Sequence, residues 1–287
     1  MKNLVNRIFA RAYGVYFNIL ALFSKKLAGE KAITLFSSPR KGKVLPIQAS
    51  FLKTAANKRI EVGGKQIQTY CWKGTKETVL LLHGWESNSF RWRNLIRSLR
   101  DEDYTVAAFD APAHGNSSGG IFNVPLYAEC TYHVVKHYNP THIIGHSVGG
   151  MTAIYHQYIY PHNSIYKMVT IGSPSELYEL MEHYQHLVGF NNNVLKALDA
   201  YFQAHFGYGL RDFSTSRFVR ELGIEGLLVH DIEDPITPYH NSEKVHANWT
   251  NSKLISTRGL GHSMHQEGVN NQIIDFLKSK KRANFSA

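Results

Sequence analysis

The stretch GHSVGG, residues 145–150, decides the fold of this chain of 287 residues. It lies between an apolar segment, Thr141–Gly145, that is typical of a buried strand, and the predicted helix Val148–Tyr160. A serine at such a strand-to-helix junction sits on a tight turn that holds its hydroxyl clear of the sheet. Glycines two residues before and after the serine leave room for that turn. We therefore predict that Ser147 is a nucleophile.

Strands and helices alternate on both sides of this turn, which predicts a mostly parallel sheet with helices on both faces. A hairpin over residues 59–72, with Gly63 and Gly64 at its turn, opens the compact domain. The predicted strands that follow are Thr78–His83, Tyr104–Phe109, Thr141–Gly145 and Ile165–Ile171, and the predicted helices are Phe90–Arg100, Val124–Tyr138 and Val148–Tyr160. The fold class is therefore α/β.

After Pro174 the alternation stops for about fifty residues that have helical character and many aromatic side chains. It resumes with strands at Gly226–His230 and Lys253–Thr257 and helices at Tyr239–Asn248 and Gln266–Lys280. We therefore predict a core of residues 59–174 and 224–287, a helical insertion over residues 175–223, and an N-terminal segment over residues 1–58.

The N-terminal segment carries the net charge of the chain. The formal charge is +10, but residues 1–60 hold 12 Lys and Arg and one acid, and the remainder is close to neutral. Residues 3–27 have helical periodicity, and residues 28–58 have the composition of an irregular basic connector. The apolar side chains of that helix form one stripe, made of Leu4, Ile8, Ala12, Val15, Ile19, Phe23 and Leu27, and Gly14 and Asn18 fall on the opposite face. The stripe either packs on its own domain or lies on an anionic membrane surface.

A serine hydroxyl becomes nucleophilic when a base takes its proton, and the base needs an acid to orient it. His262 follows the last predicted strand and is the candidate base, whereas His265 is predicted to be solvated. Asp234 follows the strand after the insertion and is the candidate acid. The chain order is then serine, acid, histidine.

Three other carboxylates compete with Asp234 for the role of the acid. Asp231 and Glu233 lie within three residues of it, and Glu176 follows the sixth predicted strand. Position alone does not choose between them.

On these residues the chain resembles the serine hydrolases of the α/β-hydrolase fold, over roughly residues 59–280. The continuation DPITP, residues 234–238, is typical of that family and favours Asp234. The resemblance implies an oxyanion hole made by the backbone N–H groups of Trp85 and Val148, worth about 3–4 kcal/mol per donor. It also implies that His83 and His114 are structural groups of the neighbouring loops and that the insertion is a cap. Asp231 departs from the glycine that many relatives have there.

The chain is therefore predicted to be an enzyme without a cofactor that cleaves a carboxylic ester or thioester through an acyl-enzyme, with an apolar acyl or aromatic substrate. An acyltransferase with the same triad and a ligand-binding protein without activity are the alternatives. Family members with an aspartate nucleophile, the dehalogenases and epoxide hydrolases, are disfavoured by Ser147.

Other chemistries have weaker support. The pairs His133 and His137, and His183 and His186, have helical spacing but lack the glutamate and cysteine partners of zinc motifs, so no metal is predicted. No phosphate-binding loop or nucleic-acid module is present. Two cysteines, Cys71 and Cys130, are too few for a disulfide framework.

The predicted location is the cytoplasm. The apolar N-terminal run is too short to span a bilayer and is followed by lysines rather than by a small-residue cleavage site. Contact with the inner membrane face through residues 1–27 remains open, as a peripheral association.

Overall fold

The structure is a computed structural model that describes residues 2–279, with side chains described from residue 8 onward. Its central element is an eight-stranded sheet in the order β1-β2-β4-β3-β5-β6-β7-β8. The strands are β1 Ala56–Val62, β2 Lys65–Trp72, β3 Lys76–Leu82, β4 Tyr104–Phe109, β5 His142–His146, β6 Lys167–Ile171, β7 Glu225–Asp231 and β8 Ser252–Thr257. Because β2 runs antiparallel to both of its neighbours and all other pairs from β4 to β8 are parallel, the predicted mostly parallel sheet is confirmed.

The helices follow the strands in the predicted order. They are α1 Lys2–Phe23, α2 Lys25–Ser37, α3 Pro46–Leu52, α4 Arg93–Asp101, α5 Val124–Tyr138, α6 Val148–Ile159, α7 Leu177–Val188, α8 Asn192–Phe206, α9 Thr215–Phe218, α10 His240–Asn248 and α11 Glu267–Lys278. Strand β4 and helix α5 have the predicted bounds. Lys280, the predicted end of the last helix, lies outside the described residues.

Two apolar cores cover the two faces of the sheet. Leu95 of α4 and Ile273 of α11 belong to one core, and Val134 of α5 and Ile154 of α6 belong to the other. Because both faces are covered, the central strands are apolar throughout rather than alternating, as is usual for a buried parallel sheet.

The chain divides into two compact units. One is formed by Pro39–Ser175 and Thr215–Ala287 and contains the sheet. The other is helical and is formed by Met1–Ser38 and Glu176–Ser214, so the N-terminal helices share a unit with the insertion. Among residues 2–279, no helix combines the length and the hydropathy that crossing a bilayer requires.

Helix α1 packs within the helical unit through the face opposite to the predicted apolar stripe. Phe17 and Ala21 are buried, and a Cβ on Gly14 would lie 2.3 Å from the carbonyl oxygen of Val188. The side-chain oxygen of Asn18 accepts a hydrogen bond of 2.7 Å from the backbone N–H of Asn191. The prediction that the apolar stripe packs on its own domain is therefore wrong. The opposite face is buried instead, because Gly14 allows close approach to the backbone of Val188 and Asn18 hydrogen-bonds to Asn191.

The stripe itself is exposed where its side chains are described. Ile8, Val15, Ile19, Phe23 and Leu27 are all exposed, and the side chain of Leu4 lies outside the described part.

The irregular connector predicted over residues 28–58 is wrong in part. Helix α2 continues to Ser37, α3 occupies Pro46–Leu52, and β1 begins at Ala56. Helix α2 begins after Ser24, whose hydroxyl accepts a hydrogen bond from the N–H of Leu27 as an N-cap. Its buried side is made largely of small residues, which give no strong hydrophobic pattern in the sequence. The helix therefore depends on tertiary packing that local periodicity does not reveal.

Candidate active site

Ser147 lies on the turn between β5 and α6 in a strained backbone conformation. Its φ is +55° and its ψ is −128°, and its N–H donates a hydrogen bond of 2.8 Å to the carbonyl oxygen of Ile171. A Cβ on Gly145 would lie 2.4 Å from the carbonyl oxygen of Gly149, so the turn closes only with glycine there. A non-glycine residue at positive φ costs about 1–3 kcal/mol, a strain typical of functional sites.

His262 and Asp234 are brought together from the loops that follow β8 and β7. Nδ1 of His262 lies 2.7 Å from Oδ2 of Asp234, and the carboxylate is buried. The ring of His262 also lies against that of His146, the residue before the serine, with centroids 4.8 Å apart. The predicted base and acid, which are 28 residues apart in the sequence, therefore meet, and the base lies against the residue that precedes Ser147.

The carboxylate of Asp234 is stabilised in its charged form. Desolvation raises its pKa, but hydrogen bonds from His230 and His262, and from the backbone N–H groups of Thr237 and Ile236, outweigh burial and lower the pKa below its usual range. Nε2 of His230 lies 3.4 Å from the carboxylate. Asp234 therefore remains an anion that accepts the Nδ1–H of the neighbouring histidine.

The competing carboxylates have other partners. Asp231 accepts hydrogen bonds from the N–H of Leu260 and the hydroxyl of Thr257, and it ties the loop after β8 to the end of β7. Glu233 is exposed and forms an ion pair of 2.6 Å with Arg258.

The two remaining alternatives do not belong to the cluster either. Glu176 lies in the helical unit, where it accepts a hydrogen bond from the hydroxyl of Ser214. His265 is exposed to solvent.

The loop after β3 carries Trp85, the first predicted oxyanion donor. His83 is fully buried, donates through Nδ1 to the carbonyl oxygen of Gly84, and accepts through Nε2 from the N–H of Ala111. Burial and then the charge of His114 lower the pKa of His83 to about 3, so the ring is neutral near pH 7. It therefore fixes the loop after β3 to the loop after β4.

A second histidine braces the same loop. Nε2 of His114 accepts a hydrogen bond of 3.0 Å from the N–H of Glu86, and the ring packs edge-on against the indole of Trp85 with centroids 5.4 Å apart. Burial lowers the pKa of His114. His83 and His114 therefore hydrogen-bond to the backbone of the loops after β3 and β4 and hold these loops in place.

Val148, the second predicted oxyanion donor, is the first residue of α6. The N–H groups of a first helical turn have no partner within the helix and point along its positive end, so they bind developing negative charge well. The loop after β3 approaches this turn closely, because a Cβ on Gly84 would lie 3.0 Å from Cβ of Ser147.

The comparisons with known proteins agree with this architecture. A family model described as the alpha/beta hydrolase fold matches residues 77–220, half of the chain, and a second model, described as a TAP-like protein, matches residues 215–284. The chain belongs to the alpha/beta hydrolase fold family. The sequence resemblance to this family is confirmed.

The proteins to which the chain is similar include several hydrolases. An uncharacterized hydrolase, YugF, of Bacillus subtilis (strain 168) is 24% identical over 249 residues, which are 71% of this chain and 90% of YugF. A soluble epoxide hydrolase of Corynebacterium sp. (strain C12) is 34% identical over 93 residues, about a third of each chain. An esterase from Exiguobacterium antarcticum has a TM-score of 0.62 at 18% identity, with 78% of this chain and all of the esterase covered.

The candidate site also contains residues that the sequence did not single out. Nε2 of His146 donates a hydrogen bond of 2.8 Å to the carbonyl oxygen of His262, and a terminal nitrogen of Arg91 donates one of 2.6 Å to the next carbonyl, that of Ser263. Burial lowers the pKa of His146 well below its usual range and that of Arg91 to about 9. Both side chains therefore hold the loop that carries His262. Their role is visible only from these hydrogen bonds, which join positions far apart in the sequence.

Metal-binding arrangements are absent from the described part of the chain, where no three or more His, Cys, Asp or Glu side chains converge. Cys71 and Cys130 are free thiols and both are buried. Burial raises the pKa of Cys130 to about 12, which leaves this thiol protonated.

Proposed function

We propose that this chain is a serine hydrolase that cleaves a carboxylic ester or thioester through an acyl-enzyme intermediate. The observation that carries the proposal is the hydrogen bond of 2.7 Å between His262 and the buried carboxylate of Asp234, beside the strained turn of Ser147. An oriented histidine near a serine on a strained strand-to-helix turn is the arrangement that nucleophilic serine chemistry needs.

In the first half of the reaction, Oγ of Ser147 attacks the carbonyl carbon and Nε2 of His262 takes the hydroxyl proton. The carboxylate of Asp234 holds the Nδ1–H tautomer and stabilises the imidazolium that forms. The oxyanion of the tetrahedral intermediate accepts hydrogen bonds from the N–H groups of Trp85 and Val148, each worth about 3–4 kcal/mol. The imidazolium then donates its proton to the leaving alcohol or thiol, which departs and leaves an acyl-serine.

In the second half, water replaces the leaving group. His262 takes a proton from the water, the hydroxide attacks the acyl carbonyl, and the proton returns to Oγ of Ser147 as the acid leaves. The same residues would transfer the acyl group to an alcohol if one replaced water, which is the chemistry of the acyltransferase alternative.

For the substrate we propose a small molecule with an apolar acyl or aromatic group. Several aromatic side chains of the insertion pack on one another, as Tyr184 does on Phe190 and Phe202 on Phe206, so packing explains part of their abundance. An ester and thioester series graded in acyl length tests the preference, and product analysis with added alcohols separates hydrolysis from acyl transfer. We also propose a cytoplasmic location.

The decisive test is the Ser147→Ala variant. We expect turnover of p-nitrophenyl acetate to fall by orders of magnitude with an unchanged melting temperature, because the hydroxyl is removed from a turn that alanine can occupy. Native protein and a control variant at an exposed helical serine, Ser50→Ala, should react with a fluorophosphonate probe, and Ser147→Ala should not. A parental rate in Ser147→Ala, or no labelling of the native protein, would refute the proposal.

A further inference from the structure

Helix α1 presents an apolar face to solvent. Leu22 is 75% exposed and Phe23 is 84% exposed, and Ile8, Val15 and Ile19 on the same side of the helix are each more than half exposed. These five side chains are defined here as the α1 surface. Large exposed apolar patches on a protein surface mark interaction sites, whereas single scattered apolar residues need no explanation.

The α1 surface is not needed to hold the helix in place. The opposite face already packs in the helical unit, with Phe17 1% exposed and Asn18 hydrogen-bonded to the loop at Asn191. A helix that is fixed by one face and apolar on the other has a surface available for a partner.

Basic residues lie near the α1 surface in the sequence. Arg11 lies on α1, and Lys25, Lys26 and Lys31 follow on α2, all with exposed side chains. Between residues 8 and 38 the sequence contains a single acid, Glu30. Apolar side chains flanked by cations are complementary to an anionic bilayer. The acyl boundary of the bilayer accepts the apolar side chains, and its anionic headgroups attract the cations.

Aromatic residues lie at the edge of the same surface. Tyr13 and Tyr16 are both more than 40% exposed and continue the apolar face around the helix. Tyrosine is enriched at the headgroup level of membranes because its ring is apolar and its hydroxyl is hydrated. A helix with one exposed apolar face and tyrosines at its edge fits an orientation in the plane of the membrane interface.

We propose that the α1 surface docks on an anionic lipid bilayer, with the apolar side chains at the acyl boundary and the lysines of α2 among the headgroups. A second copy of the chain fits less well. A symmetric pair that met through this surface would bring like charges together, and like charges at an interface oppose association.

The test is sedimentation of the full chain with vesicles of phosphatidylcholine, with and without phosphatidylglycerol. We expect binding to the anionic vesicles alone, weakened by high salt. The Lys25→Gln/Lys26→Gln variant should lower the partition coefficient about 25-fold, since each lysine near an anionic surface contributes about fivefold. Leu22→Ser/Phe23→Ser should lower it about tenfold or more, because two exposed apolar groups are lost from the acyl boundary.

Control variants carry changes of the same kind at exposed positions elsewhere. Ile47→Ser, at an exposed position of α3, and Lys53→Gln/Lys73→Gln, at exposed positions outside the helical unit, should bind like the parent. Melting temperatures check that every variant is folded.

Three results would overturn the proposal. The first is a full chain that stays in the supernatant with anionic vesicles at low salt. The second is a loss of binding in the control variants as strong as in the α1 variants. The third is a dimer of the parent chain that Leu22→Ser/Phe23→Ser converts to a monomer, which assigns the surface to a second copy. Esterase activity in solution is measured separately, so failure here is distinguishable from failure of the proposed hydrolase function.

Discussion

The substitution Asp234→Asn tests the proposed orientation of the histidine. In the structure, Oδ2 of Asp234 faces Nδ1 of His262 at 2.7 Å, and Oδ1 accepts the N–H groups of Ile236 and Thr237 at 2.8 and 3.0 Å. An asparagine keeps its oxygen on the two backbone donors, so its amide N–H₂ takes the place of Oδ2. A donor then faces Nδ1, which favours the tautomer with the proton on Nε2.

The expected loss follows from that tautomer. With Nε2 protonated, His262 does not accept the proton of Ser147, and a comparable substitution in a serine triad lowers kcat about ten-thousandfold. This corresponds to about 5.5 kcal/mol of transition-state stabilisation at 25 °C. The assay is kcat and kcat/KM for p-nitrophenyl acetate, measured beside the melting temperature.

Two neighbouring carboxylates provide controls with different expectations. Glu233→Gln removes an exposed ion pair with Arg258 and should leave kcat and stability near the parental values. Asp231→Asn disturbs hydrogen bonds from Leu260 and Thr257, so it should lower the free energy of unfolding by about 1–3 kcal/mol and change kcat far less than Asp234→Asn does. A near-parental kcat for Asp234→Asn, or a larger loss for Asp231→Asn, would refute the assignment.

Two further predictions concern stability. Gly115→Ala places a Cβ 2.1 Å from Oδ2 of buried Asp110 at a φ of +48°, so urea denaturation should show a loss of about 4 kcal/mol or more, whereas Gly223→Ala, which meets open space, should change little. Burial lowers the pKa of His156 to about 3 in the folded protein. Between pH 6.5 and 3 this histidine is protonated in the unfolded chain but neutral in the folded one, so the free energy of unfolding falls as the pH drops through this range. In His156→Phe that slope should decrease by about 1.4 kcal/mol per pH unit, and an unchanged slope would contradict the pKa.

Local patterns in the sequence were sufficient for most of the sheet unit. Alternating apolar strands and amphipathic helices repeat over residues 76–171, and the bounds of Tyr104–Phe109 and Val124–Tyr138 match the structure. Such elements are predictable because burial on both faces imposes a composition on every strand. Helix α2 was not predictable in this way, because its buried side is formed by small residues such as Ala28 and Ala32.

Some side chains have roles that only long-range neighbours reveal. Lys167 is fully buried in β6, and its Nζ donates to the carbonyl oxygens of Phe276 and Leu277 near the end of α11. In the sequence it is an ordinary lysine beside an apolar strand. His146 and Arg91 likewise hold the loop of His262 across more than a hundred residues of sequence, and no spacing rule connects them.

The sequence by itself determined the fold class, the serine turn, and the chain order of the candidate serine, acid and histidine. These features depend on local backbone conformation and on the periodicity of apolar residues, which neighbouring positions encode. The tertiary structure decided which carboxylate contacts His262 and which face of α1 is buried. Three acids within four residues have similar local patterns, so these patterns do not choose between them. Gly14 and Asn18 are predicted to face solvent from the sequence pattern, but in the fold they contact Val188 and the loop after α7. Contacts between distant segments select among locally equivalent choices, because only the folded chain brings their atoms together.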